Sequence, residues 1–287
     1  MVIIERERMP HPALRRAGSA LAGRVEEILK LVLRAPDHES AMTKKGIMAR
    51  RAEAYELLSY ARSVSGEAAE YYEELAGRRL AFKVRVKEME RNLLGKYYPG
   101  TGVYVLHPNL ASLPLTNRDY VIGHELGHLA RDAFDVGCNR LPRVNRLVNF
   151  MASATEEGAA IFLGLAFVTR GNRNRVETII YNIKDLYGED FTDIARSTLR
   201  ALKEEIEHDL NGVKKWASND YFLKLIDGNP DYRRLKYVVG SVLVSLLLYY
   251  GYGNDVDATA TALLTRTRRE LHGELYESLR AEMRKQA

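Results

Sequence analysis

The spacing of apolar residues changes twice along this chain, and this limits the folds available to it. Across residues 18–77 the apolar positions recur at helical spacing. In the next segment, "LAFKVRVKE", Phe82, Val84 and Val86 alternate with charged residues, which is the period of a half-buried strand. Helical spacing returns after a second short strand. The sequence therefore predicts an α+β, mostly helical fold with a small sheet.

Turn-forming residues, and not flexible linkers, mark the boundaries between the helical and strand segments. A second strand is predicted at Val103 to His107, after the turn residues of "YYPGTG", and helix breaks are predicted near Pro36 and Gly66. We expect an N-terminal helical region at residues 1–77, a central region at 78–253 and a C-terminal helical region at 254–287. Because no Gly-, Ser- or Pro-rich linker separates them, one compact unit is equally compatible with the sequence.

Composition favours an intracellular globular protein. The single cysteine, Cys138, cannot form an internal disulfide, and the N-terminal "MVIIERERMP" lacks the apolar core of a secretory signal, so a cytoplasmic location is predicted. The apolar run "YVVGSVLVSLLLYY" is shorter than the ~20 residues of a bilayer span and predicts a buried core helix, with no membrane partner. The net charge of +5 arises from bases interspersed with acids, so no nucleic-acid partner is expected.

The segment "YVIGHELGHLARD", residues 120–132, places two histidines four positions apart. Thr116 and Asp119 match the spacing of a capping box, which predicts that a helix begins just before the segment. On a helix, His124 and His128 lie on one face, one turn apart. The spacing therefore predicts that both imidazoles reach one metal ion.

Zinc suits this pair, because catalytic zinc sites combine imidazole ligands with a third protein ligand and a water. Glu125, beside the first histidine, is then close to the metal-activated water and is the predicted general base. Gly127 removes bulk beside the ligands, so that another backbone can approach. Asp132 continues the histidine row and is a candidate to orient one imidazole.

A third ligand is expected from "SATEEGAAIFLG", residues 153–164. Ser153 and Glu156 fit a capping box, which gives Glu156 a structural role and leaves Glu157 as the preferred ligand. The small residues after Glu157 would let its helix pack closely against the histidine helix. Glu156, His107 and Asp135 remain alternative ligands, although His107 and Asp135 are also typical of a strand end and a loop.

These motifs resemble those of the gluzincins, the zinc metallopeptidases that include thermolysin and the aminopeptidase N family. The resemblance rests on "HELGH" at 124–128 and "EEGAA" at 156–160. It implies a zincin-like fold with a catalytic region at 78–253 and a bound Zn²⁺. It also implies that His124, His128 and Glu157 are the metal ligands and Glu125 is the base.

Two further matches extend the resemblance. The strand "GVYVLH" precedes the histidines where gluzincins place the edge strand that binds an extended substrate. The segment "KYVVGSVL", 236–243, is similar to the Tyr-x-x-Gly segment of aminopeptidase-like gluzincins, which implies that Tyr237 donates a hydrogen bond to the tetrahedral oxyanion. Tyr232 and Tyr249 are alternatives for this role. Residues 129–156 form a longer spacer than is usual in the family, which predicts an inserted loop around "VGCNRLPRVNR".

The predicted function is zinc-dependent hydrolysis of a peptide or protein substrate. No Gly-x-Met-Glu-Asn segment, with which aminopeptidases capture a free amine, is present upstream, so an endopeptidase-like activity is expected. One alternative is a regulatory protein that binds zinc at a latent site on the same scaffold. Another is nucleic-acid association through the basic segment "TKKGIMARRAE" at 43–53. Composition does not predict an oligomeric state.

Overall fold

The structure is a computed structural model that describes residues 44–90, 93–137, 146–210, 217–228 and 232–286. The helix predicted within residues 21–34, the break near Pro36 and Cys138 lie outside these ranges. So do the side chains of residues 43–52, which carry most of the basic segment, and most of the expected insertion at 136–146.

Helices dominate the described residues, as the apolar spacing predicts. The helices are α1 (Lys44–Ala76), α2 (Leu115–Ala133), α3 (Arg146–Val168), α4 (Arg175–Tyr187), α5 (Glu189–Leu210), α6 (Ala217–Gly228), α7 (Tyr232–Leu246), α8 (Val256–Thr265) and α9 (Arg268–Gln286). The strands are β1 (Lys83–Val86), β2 (Gly95–Tyr98) and β3 (Val103–Leu106), with a 3₁₀ turn at Pro108–Ser112 and a π-turn at Leu247–Gly251. The α+β, mostly helical prediction is confirmed.

The first helix is longer than its sequence suggests. α1 continues through Gly66 without a break, so the break predicted there is wrong. A Cβ added at Gly66 would meet no atom within 4 Å, and nothing in the packing requires a turn at this position. The helix ends instead at Gly77, which has a φ of +66° and donates its amide to Glu73 O at 2.8 Å. This is the left-handed C-terminal glycine that commonly stops a helix.

The sheet has three strands in the order β1-β3-β2, with β1 parallel and β2 antiparallel to β3. Both predicted strands form, and in β1 Val84 is buried while Lys83 and Arg85 are exposed. β2 is a strand that the sequence analysis missed. It places β3 in the centre, so the prediction that "GVYVLH" is an edge strand is wrong. The two edges of the sheet are β1 and β2, one on each side of β3.

α2 begins without the predicted capping box. Its N-cap is Pro114, which makes no side-chain cap, and the carbonyl of Pro114 accepts the amides of Asn117 and Arg118. Asp119 instead accepts a hydrogen bond from the Tyr60 hydroxyl of α1. Tyr72 of α1 also donates to the Gly123 carbonyl at 3.0 Å. These contacts fix α1 against the helix that carries the histidines.

The core is shared by the described elements from α1 to α9. α3 is central to it, because it packs against both α2 and α7. The predicted core helix near residues 237–250 is found as α7 and the π-turn, and its Val and Leu side chains are buried up to Leu248.

Two apolar segments of the described chain pass a length and composition test for membrane spans. α3 does so alone, but 78% of its most apolar window is buried within the protein. The stretch Arg234–Gly251 passes together with α8, although the chain bends by 119° between these two segments. Burial in the core accounts for the apolar character of α3.

Candidate metal centre

Glycines bring α2 and α3 into close contact on the side where the histidines lie. A Cβ added at Gly127 would lie 3.4 Å from Ala160 Cα, and one at Gly123 would lie 3.2 Å from Gly164 Cα. Larger residues would hold the two helices apart and separate the ligand-bearing side chains. The predicted role of Gly127 in close backbone approach is therefore confirmed.

A second glycine contact joins α3 to α7. A Cβ added at Gly158 would lie only 2.2 Å from Gly240 O, and one at Gly240 only 1.9 Å from Ala154 O. Real Cβ atoms do not approach backbone this closely, so both positions require glycine. Gly158 was expected to serve the histidine helix, and it serves α7 instead. The crossing places the first turns of α7 beside Glu157.

The structure brings His124, His128 and Glu157 together. Glu157 Oε2 lies 3.8 Å from His124 Nε2 and 3.3 Å from His128 Nε2, and the three potential ligand atoms lie within 4.8 Å of one another. The three side chains are 13–14% exposed, so a small ion and water can reach them. Among the described residues, this is the group of His, Cys, Asp and Glu that fits one metal ion.

The polar atoms of the cluster are incompletely satisfied. Glu157 Oε2 and His124 Nδ1 are buried, and neither has an aligned hydrogen-bond partner among the described residues. A buried carboxylate oxygen without an aligned hydrogen-bond partner marks a position where a cation can bind. Two imidazoles and a carboxylate are also the donor set of the His₂Glu catalytic zinc sites. The residues therefore fit a zinc ion.

Electrostatics favour the ligating form of two of these groups. Burial, reinforced by His128, lowers the pKa of His124 to about 3, so its ring is neutral at pH 7. Burial alone would raise the pKa of Glu157, but His128, His124 and Lys236 lower it, so its carboxyl is ionised. For His128, burial alone would lower the pKa, but the carboxylates of Glu157 and Glu125 outweigh burial and raise it. Metal binding at His128 therefore competes with a proton.

Glu125 is buried beside the cluster and contacts β2. Burial, with a further contribution from Glu157, raises the pKa of its carboxyl to about 7, although His128 and the Tyr97 amide act against this. A Cβ added at Gly95 would lie 2.8 Å from Glu125 Oε1, so β2 passes directly over the carboxyl group. An added Cβ would displace the Glu125 carboxyl group from its present position. The "GKYY" segment therefore belongs to the site. In the sequence, the only indication of this strand was its short alternation of residue types just before a Pro-Gly turn.

Tyr237 also lies at the cluster. Burial raises the pKa of its hydroxyl, and the carboxylates of Glu157 and Glu125 raise it further. The same two carboxylates act on Tyr120, whose pKa burial also raises well above its usual value. Of the alternatives, Tyr249 is 43% exposed, and the side chain of Tyr232 lies outside the described residues.

Lys236 is a residue of the site that the sequence analysis missed. Its Nζ lies 2.5 Å from Glu157 Oε1, and its side chain is 22% exposed. The signal was present, because a lysine directly precedes Tyr237 in an otherwise apolar segment. Without the α3–α7 crossing, however, its partner could not be inferred.

The alternative third ligands are engaged elsewhere. Glu156 pairs with buried Arg131 at 2.9 Å. His107 accepts the Asn109 amide through Nδ1, and its Nε2 lies 3.1 Å from Glu88.

Local geometry bears on three further expectations near the site. Asp135 lies in the turn after α2 with a φ of 58° and is not part of the cluster. Since α3 begins at Arg146, Ser153 and Glu156 lie inside the helix, so the capping box predicted there is wrong. Asp132 accepts hydrogen bonds from the Tyr97 hydroxyl and the Gly100 amide, which anchors the β2–β3 hairpin. Its role in orienting an imidazole stays a prediction.

Comparisons with protein-family models, with curated proteins and with solved structures find no match to this chain.

Proposed function

We propose that this chain is a zinc-dependent metallopeptidase with a zincin-like fold, in which His124, His128 and Glu157 hold the ion. The observation that carries the proposal is the convergence of these three side chains within 4.8 Å around a buried carboxylate oxygen that lacks an aligned partner. Their positions on two glycine-packed helices, next to a small sheet, support the zincin-like assignment.

Bound zinc supplies Lewis acidity, which polarises a carbonyl group and lowers the pKa of a water. Glu125 is the group of this chain that removes a proton from that water. Its pKa of about 7 suits the task, because a general base works best when its pKa lies near the working pH. The protonated carboxyl then donates the proton to the leaving amine.

Tyr237 stabilises the negative charge that develops on the substrate oxygen. Burial and two nearby carboxylates raise the pKa of its phenol, so the hydroxyl remains protonated at neutral pH and can donate a hydrogen bond. A donor fixed in a partly dehydrated site contributes more to the transition state than to the ground state.

In our proposal an extended peptide substrate pairs with the outer edge of β2, on the side away from β3. His107 donates its amide to Leu94 O, so alternate residues along this segment, including Lys96, face β3. Gly95 and Tyr97 therefore direct their backbone groups to the opposite edge, where the Tyr97 amide reaches Glu125. A peptide paired along this edge has its scissile bond beside the base. This arrangement favours endopeptidase-like cleavage within a polypeptide.

The direct test compares the wild type with Glu125→Gln, using bound zinc and cleavage of an unfolded polypeptide as readouts. We expect the variant to retain zinc, because Glu125 is not a ligand, and to lose turnover by about 10²- to 10⁴-fold. Glu53→Gln, the same substitution at an exposed glutamate of α1, should behave as the wild type.

Two outcomes would contradict the proposal. A wild type that binds no zinc would remove the metal site, and undiminished cleavage by Glu125→Gln would remove the assigned base. Stoichiometric zinc with no cleavage by the wild type would favour the alternative of a latent, regulatory zinc-binding protein.

A further inference from the structure

Lys236 and the imidazoles contact different oxygens of the Glu157 carboxylate. Oε2 faces His124 Nε2 and His128 Nε2, at 3.8 and 3.3 Å. Oε1 accepts a hydrogen bond from Lys236 Nζ at 2.5 Å. One oxygen is thus directed to the candidate metal position, and the other is held by a cation from a different helix.

The position of Lys236 is fixed by the helix crossing. It belongs to α7, whose Gly240 contacts the backbone of Gly158 in α3, next to Glu157. Its Nζ also lies 4.8 Å from the centre of the Tyr237 ring, within the range of a cation–π contact. Its side chain is 22% exposed, so solvent reaches the lysine that pairs with Glu157.

We propose that Lys236 is a positioning residue that keeps Glu157 a one-oxygen ligand and so leaves one coordination position of the metal open. This inference rests on the proposed metal site. A carboxylate can coordinate a metal through one oxygen or through two. The Lys236 ammonium engages Oε1, so only Oε2 remains for the metal, and a catalytic zinc needs an open position for water.

Most groups that hydrogen-bond to metal ligands strengthen metal binding. The positive charge of Lys236 should weaken it. Carboxylates and carbonyls that accept a hydrogen bond from a ligating histidine raise its donor strength, and their loss weakens metal binding. An ammonium on a ligating carboxylate draws electron density away and repels the bound cation. Removing Lys236 should therefore strengthen metal binding while closing the open position.

The experiment uses the full chain, with cobalt(II) chloride as the probe. Lys236→Met retains an unbranched side chain one atom shorter than lysine and removes the charge. We expect cobalt affinity, measured by competition with a chromophoric chelator, to increase about tenfold. The visible absorption of the bound cobalt should weaken, because the second carboxylate oxygen raises its coordination number. Lys236→Arg, which retains a cationic donor, should restore the wild-type spectrum.

Control variants separate this role from a structural one. Lys224→Met, the same change at an exposed lysine of α6, should leave affinity and spectrum unchanged. Lys236→Gln provides a second neutral variant if Lys236→Met does not fold. A lysine with only a structural role would loosen the site on removal, so weaker cobalt binding in the neutral variants would overturn the proposal. An unchanged spectrum with unchanged affinity would also overturn it.

Failure of this inference can be told from failure of the proposed function. If the wild type binds no cobalt, both fall. If it binds cobalt and Glu157→Gln abolishes the binding, the metal site stands. An unaltered Lys236→Met then contradicts the positioning role alone.

Discussion

Two neighbouring glutamates of α3 lie in two buried polar clusters with opposite properties. Glu156 pairs with Arg131, which is fully buried and also donates to the carbonyls of Leu263 and Val136. The Arg131 guanidinium therefore has three hydrogen-bond partners within the protein. We call this cluster closed, because its charged groups are paired within the protein. Its contacts join α2 to α3 and α8.

The cluster around Glu157, one residue further along α3, is open. Its Oε2 and the Nδ1 of His124 lack aligned partners, and its side chains are partly exposed. The chemical types are similar in both clusters, so hydrogen-bond satisfaction distinguishes them. A satisfied buried pair fixes a fold, whereas convergent unsatisfied donors and acceptors indicate a position for a ligand.

The sharpest test of this comparison replaces each glutamate with glutamine. Glu156→Gln leaves the buried Arg131 without its counter-charge and should lower the free energy of unfolding by about 3–5 kcal/mol. Glu157→Gln should cost less than half of this, because Lys236 is partly exposed and can be hydrated. Urea unfolding in metal-free buffer at pH 7 measures both values.

Zinc should raise the stability of Glu156→Gln relative to that of Glu157→Gln by about 2.7 kcal/mol. At a zinc concentration of 100 times Kd, a site that binds only the folded state adds about 2.7 kcal/mol to the free energy of unfolding. Glu156→Gln should retain this gain and Glu157→Gln should lose it. If both variants lose the same free energy of unfolding in metal-free buffer and gain the same amount with zinc, the two clusters do not differ in function.

A second prediction uses a satisfied histidine beside the closed cluster. Thr155 donates its hydroxyl proton to Met151 O, so it must accept from His272 Nε2, which lies 3.0 Å away. Burial lowers the pKa of His272 to about 4, so the folded protein holds this ring neutral. Between pH 6.5 and 4 the unfolded chain binds a proton at this position and the folded chain does not. Stability therefore falls as the pH falls through this window, by about 3 kcal/mol in total.

His272→Gln isolates this contribution, since a glutamine amide can still donate to Thr155 but does not titrate. Unfolding curves from pH 7 to pH 4 in metal-free buffer should show a smaller loss for the variant. With zinc present, the difference between the two proteins should stay the same, because His272 is not part of the open cluster. Identical slopes for both proteins would refute the assignment.

The smallest expected effect concerns the glycine crossing that holds α7 beside Glu157. Gly158→Ala places a Cβ against Gly240 O and should cost about 1–3 kcal/mol by forcing the helices apart. Zinc affinity should change little, because the proposed ligands lie on α2 and α3. Cleavage should fall, because Tyr237 moves away from the site.

Gly66→Ala is the matched control for this substitution. Gly66 lies inside α1 with no atom near the added Cβ, so alanine should stabilise the protein by about 0.5–1 kcal/mol. Thermal unfolding of both variants checks the opposite signs. A neutral Gly158→Ala would mean that the crossing tolerates a wider separation.

The sequence was most informative where local spacing decides geometry. Two histidines four apart on a helix must share a face, and the alternation of Val84 and Val86 with charged residues predicts a strand. The capping boxes failed because their residues lie away from the helix ends or bind other elements, as Asp119 does with Tyr60. Capping depends on where a helix begins, and for α2 that is set by Pro114.

The strand order and the partners of α7 were not predictable in the same way. The short β2 carries a weak signal, yet it moves β3 from the edge to the centre and supplies Gly95 against Glu125. Lys236 has no sequence motif of its own. Its pairing with Glu157 follows from the contact between Gly158 and Gly240.

By itself, then, the sequence determined the helical framework and the shared face of His124 and His128. These features depend on residue type and on spacing within one element. Only the tertiary structure decided that Glu156 is closed by Arg131 and that Lys236 holds one oxygen of Glu157. The reason is physical: whether a buried charge is satisfied depends on which helices touch, and glycines far apart in the chain set those contacts.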